Sequence, residues 1–506
     1  MSGRRLVLLT SLVAVALSAC ATDSGVATVA ANQSDGDPFT LPNETLAPDE
    51  PDTTGPDPTV APADTVPGRA DELLNFGAEK QPRPYDEFLV NALNDVEVFW
   101  SEQYPLLYGE PFEPLTGGIY AGYPERSDPI PGCGPDSETS YDELVFFAAF
   151  YCPDGDFMAY DDGDEGLLVT LVDAFGPSVM GVVLAHEYGH AIQERAGILA
   201  EGPPTIYTEQ QADCFSGAWV ARAVRGEAPG VTLTDADIRA GLIALIQVRD
   251  PIGVDQLEPG GHGTGFDRVG AFQVGFSDGP ARCAEIIDDP LPLMPNTLRA
   301  NGNPNGNAPF GYDPAASPNG QMPGLVIADL NEYWTSILGG AADPFTEIDV
   351  VPFEDPSDVE CDSLVGDPDV GALLCSDTGV VYFDEVKARD RYDQFGDFAL
   401  GYMLGDAFSE AAQQSLGSPL EGEDRVLIND CLTGAWVSSL VPDANGATPR
   451  NAVIEAGDLD EAIQIALTVG DPGTNDDVLG SPFEKIASFR KGVLDGVPAC
   501  QAMLED

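Results

Sequence analysis

Apolar residues along this chain fall into stretches of very unequal density. The first, Leu6 to Leu17, follows Arg4-Arg5 and is too short to span a bilayer as a permanent helix, so it reads as an export leader. From residue 21 to about 75, large aliphatic and aromatic residues almost vanish in favour of Asp, Thr, Pro, Ala and Gly, as in Pro51-Asp52-Thr53-Thr54-Gly55-Pro56. With so little to bury, this segment is expected to be a disordered tether. Further on, the breaker Gly176-Pro177-Ser178 precedes the apolar run Val179 to Ala185, which predicts the start of a buried helix. A second helix is expected to open at Thr208, after Pro203-Pro204. Residues 284 to about 320, with Asn301-Gly302-Asn303-Pro304-Asn305-Gly306, read as a linker. A chain of 506 residues is too long for one ordinary core. The expected organisation is a leader (1–20), a tether (21–75), a first domain (76–300), a linker (301–320) and a second domain (321–506).

The two domains can be laid over one another. Asp213-Cys214-Phe215-Ser216-Gly217-Ala218-Trp219-Val220 matches Asp430-Cys431-Leu432-Thr433-Gly434-Ala435-Trp436-Val437 with two conservative changes. Other matches keep the same order: Phe99-Trp100 with Tyr333-Trp334, Cys133 with Cys361, Cys152 through Asp161 with Cys375 through Asp384, Asp250-Pro251 with Asp471-Pro472, and Phe266 through Cys283 with Phe483 through Cys500. The pattern is that of a tandem duplication.

Cysteine usage then changes the picture. Leu17-Ser18-Ala19-Cys20 resembles the lipobox of bacterial lipoproteins, which makes Cys20 the candidate for lipidation and implies a membrane anchor on the extracytoplasmic face. The remaining eight cysteines suit disulfides in an exported protein, and none has the close spacing of a structural zinc site. If each copy closes its own bridges, the pairs are Cys133–Cys152, Cys214–Cys283, Cys361–Cys375 and Cys431–Cys500. The formal charge of -63, from 85 acidic against 22 basic residues, argues against nucleic acid as a partner. It suits a solvated surface. The run Asp161-Asp162-Gly163-Asp164-Glu165 invites a calcium reading, but its spacing does not fit the EF-hand loop.

Only three histidines occur in the chain, and two of them, His186 and His190, stand four residues apart. On a helix this spacing turns both imidazoles to one face, able to share a metal ion, with Glu187 beside them to act on a water molecule. A catalytic zinc needs a third ligand. Glu209 and Asp213 share a face of the second predicted helix. One division makes Glu209 the ligand and Asp213 the acceptor for a histidine ring N–H; the other puts Asp213 on the metal and leaves Glu209 as a helix-end charge. His262, within Gly260-Gly261-His262-Gly263, is a candidate donor to a developing oxyanion, or simply a polar loop residue. In the second copy His186 becomes Asp406, Glu187 becomes Ala407, His190 becomes Glu410, Glu209 falls opposite Val426 and His262 opposite Leu479. That copy has therefore lost the chemistry, although Asp406, Glu410 and Asp430 could form a hard-metal site.

At His186-Glu187-Tyr188-Gly189-His190 and Glu209-Gln210-Gln211-Ala212-Asp213-Cys214-Phe215-Ser216-Gly217 the chain resembles the putative neutral zinc metallopeptidase family of bacteria. The resemblance extends over Cys133-Gly134, Phe150-Tyr151-Cys152-Pro153 and His262 through Arg268 to Cys283, roughly residues 85 to 285. It implies a zincin-like α+β domain, helix-rich around the site, with Zn2+ held by His186, His190 and Glu209, and peptide or protein substrates. The acidic composition and the entire second copy depart from the family pattern. The expected function is zinc-dependent peptide hydrolysis with Glu187 as general base and a second domain that binds substrate or a protein partner. The alternative is a surface-anchored binding or scaffold protein with a structural or vestigial zinc site.

Overall fold

The computed structural model describes residues 27–29 and 70–504, apart from 135–136, 295–306, 312–320, 342, 419, 442–449, 451, 453, 456 and 470–480. Cys20, the leader and most of the expected tether and linker therefore lie outside the described residues. Within the segment expected to lack structure, Ala27–Val29 pairs as an edge strand with Ala149–Tyr151, and Leu74–Asn75 pairs with Ile119–Tyr120.

Helices dominate, and the short strands gather into sheets at one side of each half, an α+β arrangement. In the first half the sheet order is Ala27–Val29, Ala149–Cys152, Phe157–Asp161, Gly118–Gly122, Leu74–Asn75. Its centre is a hairpin, Ala149–Cys152 antiparallel to Phe157–Asp161, with Gly118–Gly122 added in parallel. The second half repeats that local plan: Ala372–Cys375 runs antiparallel to Val380–Asp384, and Val350–Phe353 is added in parallel.

Ser178–Arg195, Thr205–Val224 and Gly265–Asp278 pack together in the first half, as Phe398–Leu416, Gly422–Ser438 and Pro482–Asp495 do in the second. Trp219 donates from Nε1 to Asp95 and Trp436 donates to Asp329, so a buried indole is satisfied in the same way in each half. The helix expected to open at Thr208 starts three residues earlier, at Thr205, immediately after Pro204. Proline suits the entry to a helix, so the breaker sits against the first turn and not a turn away from it.

Four disulfides join Cys133–Cys152, Cys214–Cys283, Cys361–Cys375 and Cys431–Cys500, the pairing that the internal matches predict. Bridges of this number belong to an oxidising, extracytoplasmic compartment. Among the described residues no helix is long and apolar enough to cross a membrane. The halves are packed on each other: Phe266 N–H donates to Asp460 Oδ1 at 2.8 Å, Gln273 Nε2 donates to the Phe483 carbonyl at 2.9 Å, and the rings of Phe276 and Phe483 lie 4.6 Å apart.

Candidate metal centre

Ser178–Arg195 is buried over nearly its whole length, from Ser178 through Gln193, so the polar residues it carries must find partners inside the protein. His186 and His190, one turn apart, bring their ring centroids to 4.9 Å. The facing helix, Thr205–Val224, presents Glu209 and Asp213, again one turn apart. Gly189 permits this approach, because a Cβ there would lie 3.0 Å from the Cα of Ala212.

One oxygen of Glu209 lies 3.2 Å from His186 Nε2 and the other 3.4 Å from His190 Nε2. None of these four buried atoms has a partner with hydrogen-bond geometry. Instead, ligand atoms of His186, His190 and Glu209 all lie within 4.8 Å of one another, which is the spacing of donors around a shared cation. Glu209, not Asp213, is thus the carboxylate that meets both imidazole Nε2 atoms.

Asp213 sits behind His186. Its Oδ1 lies 2.7 Å from His186 Nδ1, and Arg268 grips it through Nε and Nη2, each at 2.9 Å. The third anchor of Arg268, from Nη1 to the Val248 carbonyl at 2.8 Å, fixes the guanidinium in a site with no solvent exposure. On the other imidazole, His190 Nδ1 lies 2.9 Å from Gln193 Oε1, while Gln193 donates to the Thr208 carbonyl at 2.7 Å. Each ring therefore has its Nδ1 held from behind and its Nε2 turned to Glu209, an arrangement that fixes both tautomer and orientation.

The electrostatics agree with a site built for positive charge. Burial opposes a proton on His186, but the Asp213 and Glu209 carboxylates overcome it and raise the pKa to about 9. Burial likewise works against ionised Asp213, and Arg268 with His186 holds its carboxyl below the usual range. Glu209 is held well below its ordinary value by the histidines that surround it, again against the effect of burial. Glu187 is fully buried with neither carboxylate oxygen hydrogen-bonded, and burial raises its pKa while His186 and His190 oppose the rise. His262 is brought to the same site, close enough to act electrostatically on Glu187 and Glu209; its backbone N–H donates to Asp250 Oδ2 at 2.8 Å, and its Nδ1 lies 3.4 Å from Asp250 Oδ1.

The hard-metal site considered for Asp406, Glu410 and Asp430 does not form. Arg425 and Asn429 occupy the Glu410 carboxylate, and Tyr402 donates its hydroxyl to Asp430. Arg425 stands one residue before Val426, the counterpart of Glu209, and brings a cation of its own to the place of the metal ligands. The acidic run at 161–165 is also committed to the protein: Asp162 is held by Lys80, Arg83 and Tyr85, and Asp161 by Tyr141 and the Gly163 N–H. Arg268, Gln193 and Asp250 escaped sequence reasoning. Gln193, one turn beyond His190, and Arg268, opposite Lys485 in the internal match, each left a signal there.

No family model matches this sequence. The chain is similar to the uncharacterized protein Rv2575 of Mycobacterium tuberculosis and to the uncharacterized protein Mb2605 of Mycobacterium bovis, each 35% identical over 170 residues, covering 29% of this chain and 55% of the relative. It is also similar to the uncharacterized protein YpfJ of Escherichia coli K12, 29% identical over 226 residues, covering 39% of this chain and 70% of the relative. The chain spans about half the length of the mycobacterial relatives it matches. No solved structure matches it.

Proposed function

We propose that this chain is an exported zinc-dependent peptidase, anchored through Cys20, in which the first half is catalytic and the second is a degenerate copy of the same zincin-like domain. The reading rests on one observation: two imidazole Nε2 atoms and the Glu209 carboxylate converge without hydrogen-bond partners, with unpartnered Glu187 beside them. Two nitrogens and one carboxylate suit zinc better than calcium or magnesium, which favour oxygen alone. The duplication is supported by the matching hairpins, disulfides and indole–carboxylate bonds of the two halves. The resemblance to the neutral zinc metallopeptidases supports the same activity.

A zinc ion bound there supplies electrophilic polarisation of a peptide carbonyl and eases the deprotonation of water. His186, His190 and Glu209 hold it, while Asp213 and Gln193 keep the two imidazoles in their ligating orientation. Glu187 accepts the proton of the attacking water and returns one to the leaving amine. His262, oriented by Asp250, donates to the oxyanion as charge develops. His186, Glu187 and His190 have no solvent exposure.

Glu187→Gln tests the reading. The variant keeps stoichiometric zinc by metal analysis and loses peptide-library cleavage by about a hundred- to ten-thousand-fold. Unchanged chelator-sensitive cleavage, or purified wild-type protein that retains no zinc, counts against it.

A further inference from the structure

Outside the histidine site, one other group among the described residues brings ligand atoms within 4.8 Å of one another: Asp397, Asp458 and Glu461. All three side chains are more than nine-tenths buried, at 6%, 3% and 8% exposure. They come from two helix starts, Asp397 just before Phe398–Leu416, and Asp458 and Glu461 in the first turn of Asp458–Thr468. Three backbone amides orient them. The Ala308 N–H donates to Asp397 Oδ2 at 2.6 Å, the Glu455 N–H to Asp458 Oδ2 at 2.7 Å, and the Phe398 N–H to Glu461 Oε2 at 2.8 Å.

Each carboxylate thus gives one oxygen to an amide. The other oxygen of Asp397, Oδ1, is buried with no hydrogen-bond partner, and so is Oε2 of the neighbouring Glu455. An unsatisfied carboxylate oxygen enclosed beside two further carboxylates is costly unless a cation or a proton relieves it. Amides at helix starts account for the oxygens that they bond, not for Asp397 Oδ1.

We propose that Asp397, Asp458 and Glu461 form a second metal site, an all-oxygen site of the calcium class, which ties together the starts of two helices in the second half. Oxygen-only donors select a hard cation over zinc, and water or the nearby Glu455 completes the larger shell that calcium takes. The site also bears on the first half. Asp460, between two of the ligands, accepts from the Phe266 N–H at 2.8 Å and pairs with Arg249 at 2.8 Å, at the start of the helix that carries Arg268.

The test is calorimetric titration of calcium chloride into the purified, zinc-loaded full chain, with thermal unfolding followed alongside. One calcium per chain is expected, with a Kd of roughly 10⁻⁴–10⁻³ M as in other extracellular modules, and a rise in Tm. The Asp458→Asn/Glu461→Gln variant relieves repulsion, so it folds and has a higher calcium-free Tm than the wild type, but binds calcium at least about tenfold more weakly, the level set by losing charged ligands. No heat and no Tm change in the wild type at about 10 mM calcium, well above that Kd range, overturns the proposal. An equal calcium response in the variant overturns it as well. Zinc content, measured throughout, reports the histidine site independently of either outcome.

Discussion

Asp213→Asn is the most incisive perturbation of the histidine site, because it changes a charge without changing a shape. Asp213 Oδ1 meets His186 Nδ1 and Arg268 Nη2, and its Oδ2 meets Arg268 Nε. An asparagine has one oxygen and one NH2, so whichever way the amide is turned, a donor faces a donor. The change also strips the counter-ion from a guanidinium with no solvent exposure whose other anchor is the Val248 carbonyl. Breaking a buried pair from one side costs about 3–5 kcal/mol, and losing the carboxylate that orients a ligating imidazole costs about ten- to hundred-fold in metal affinity.

The two effects separate in a cycle. Urea unfolding of metal-free protein reports stability, and competition against a chromogenic chelator reports zinc affinity. Asp213→Asn/Arg268→Met removes both charges, so it recovers about 0.5–3 kcal/mol relative to additivity while zinc affinity stays low. A single-variant cost below about 1 kcal/mol, the worth of an exposed ion pair, refutes the buried-pair argument. Unchanged zinc affinity refutes the orienting role.

Two further outcomes follow from the packing and the charges. A Cβ on Gly217 would lie 2.0 Å from the Phe272 carbonyl oxygen, and one on Gly434 would lie 2.0 Å from that of Phe489. Each substitution to alanine should destabilise its half by at least about 1–3 kcal/mol, but only Gly217→Ala, which pushes the Arg268 helix away from Asp213, should also lower zinc affinity; equal zinc affinity in both variants counts against the coupling. For pH, burial pushes Asp397 up to about 6, above its unfolded value. A raised carboxyl favours the folded state while protonated, so without added calcium stability should fall as pH rises from about 4 to about 6. Denaturant midpoints across that range that rise or stay level sink the assignment.

Much of the histidine site is legible in the sequence. The spacing of His186 and His190, of Glu209 and Asp213, and the order of the paired cysteines are all short-range or repeated patterns, and they describe helix faces and bridges directly. Arg268 could not be assigned in this way, because its partner Asp213 stands on a different helix and only the packing of the two helices joins them. The same holds in the second half, where Glu410 and Asp430 match positions of the histidine site in sequence but are occupied by Arg425 and Tyr402 in the fold.

Local periodicity and internal repetition therefore determined the helix that carries the histidines, the candidate ligands and the disulfide pairing. The sequence already pointed to Glu209 as the ligand and Asp213 behind a histidine; tertiary structure alone decided that Arg268 grips Asp213 and that Asp397 converges with Asp458 and Glu461. Those outcomes depend on where separate helices cross and which buried oxygens find a donor, and neither is encoded in spacing along one element.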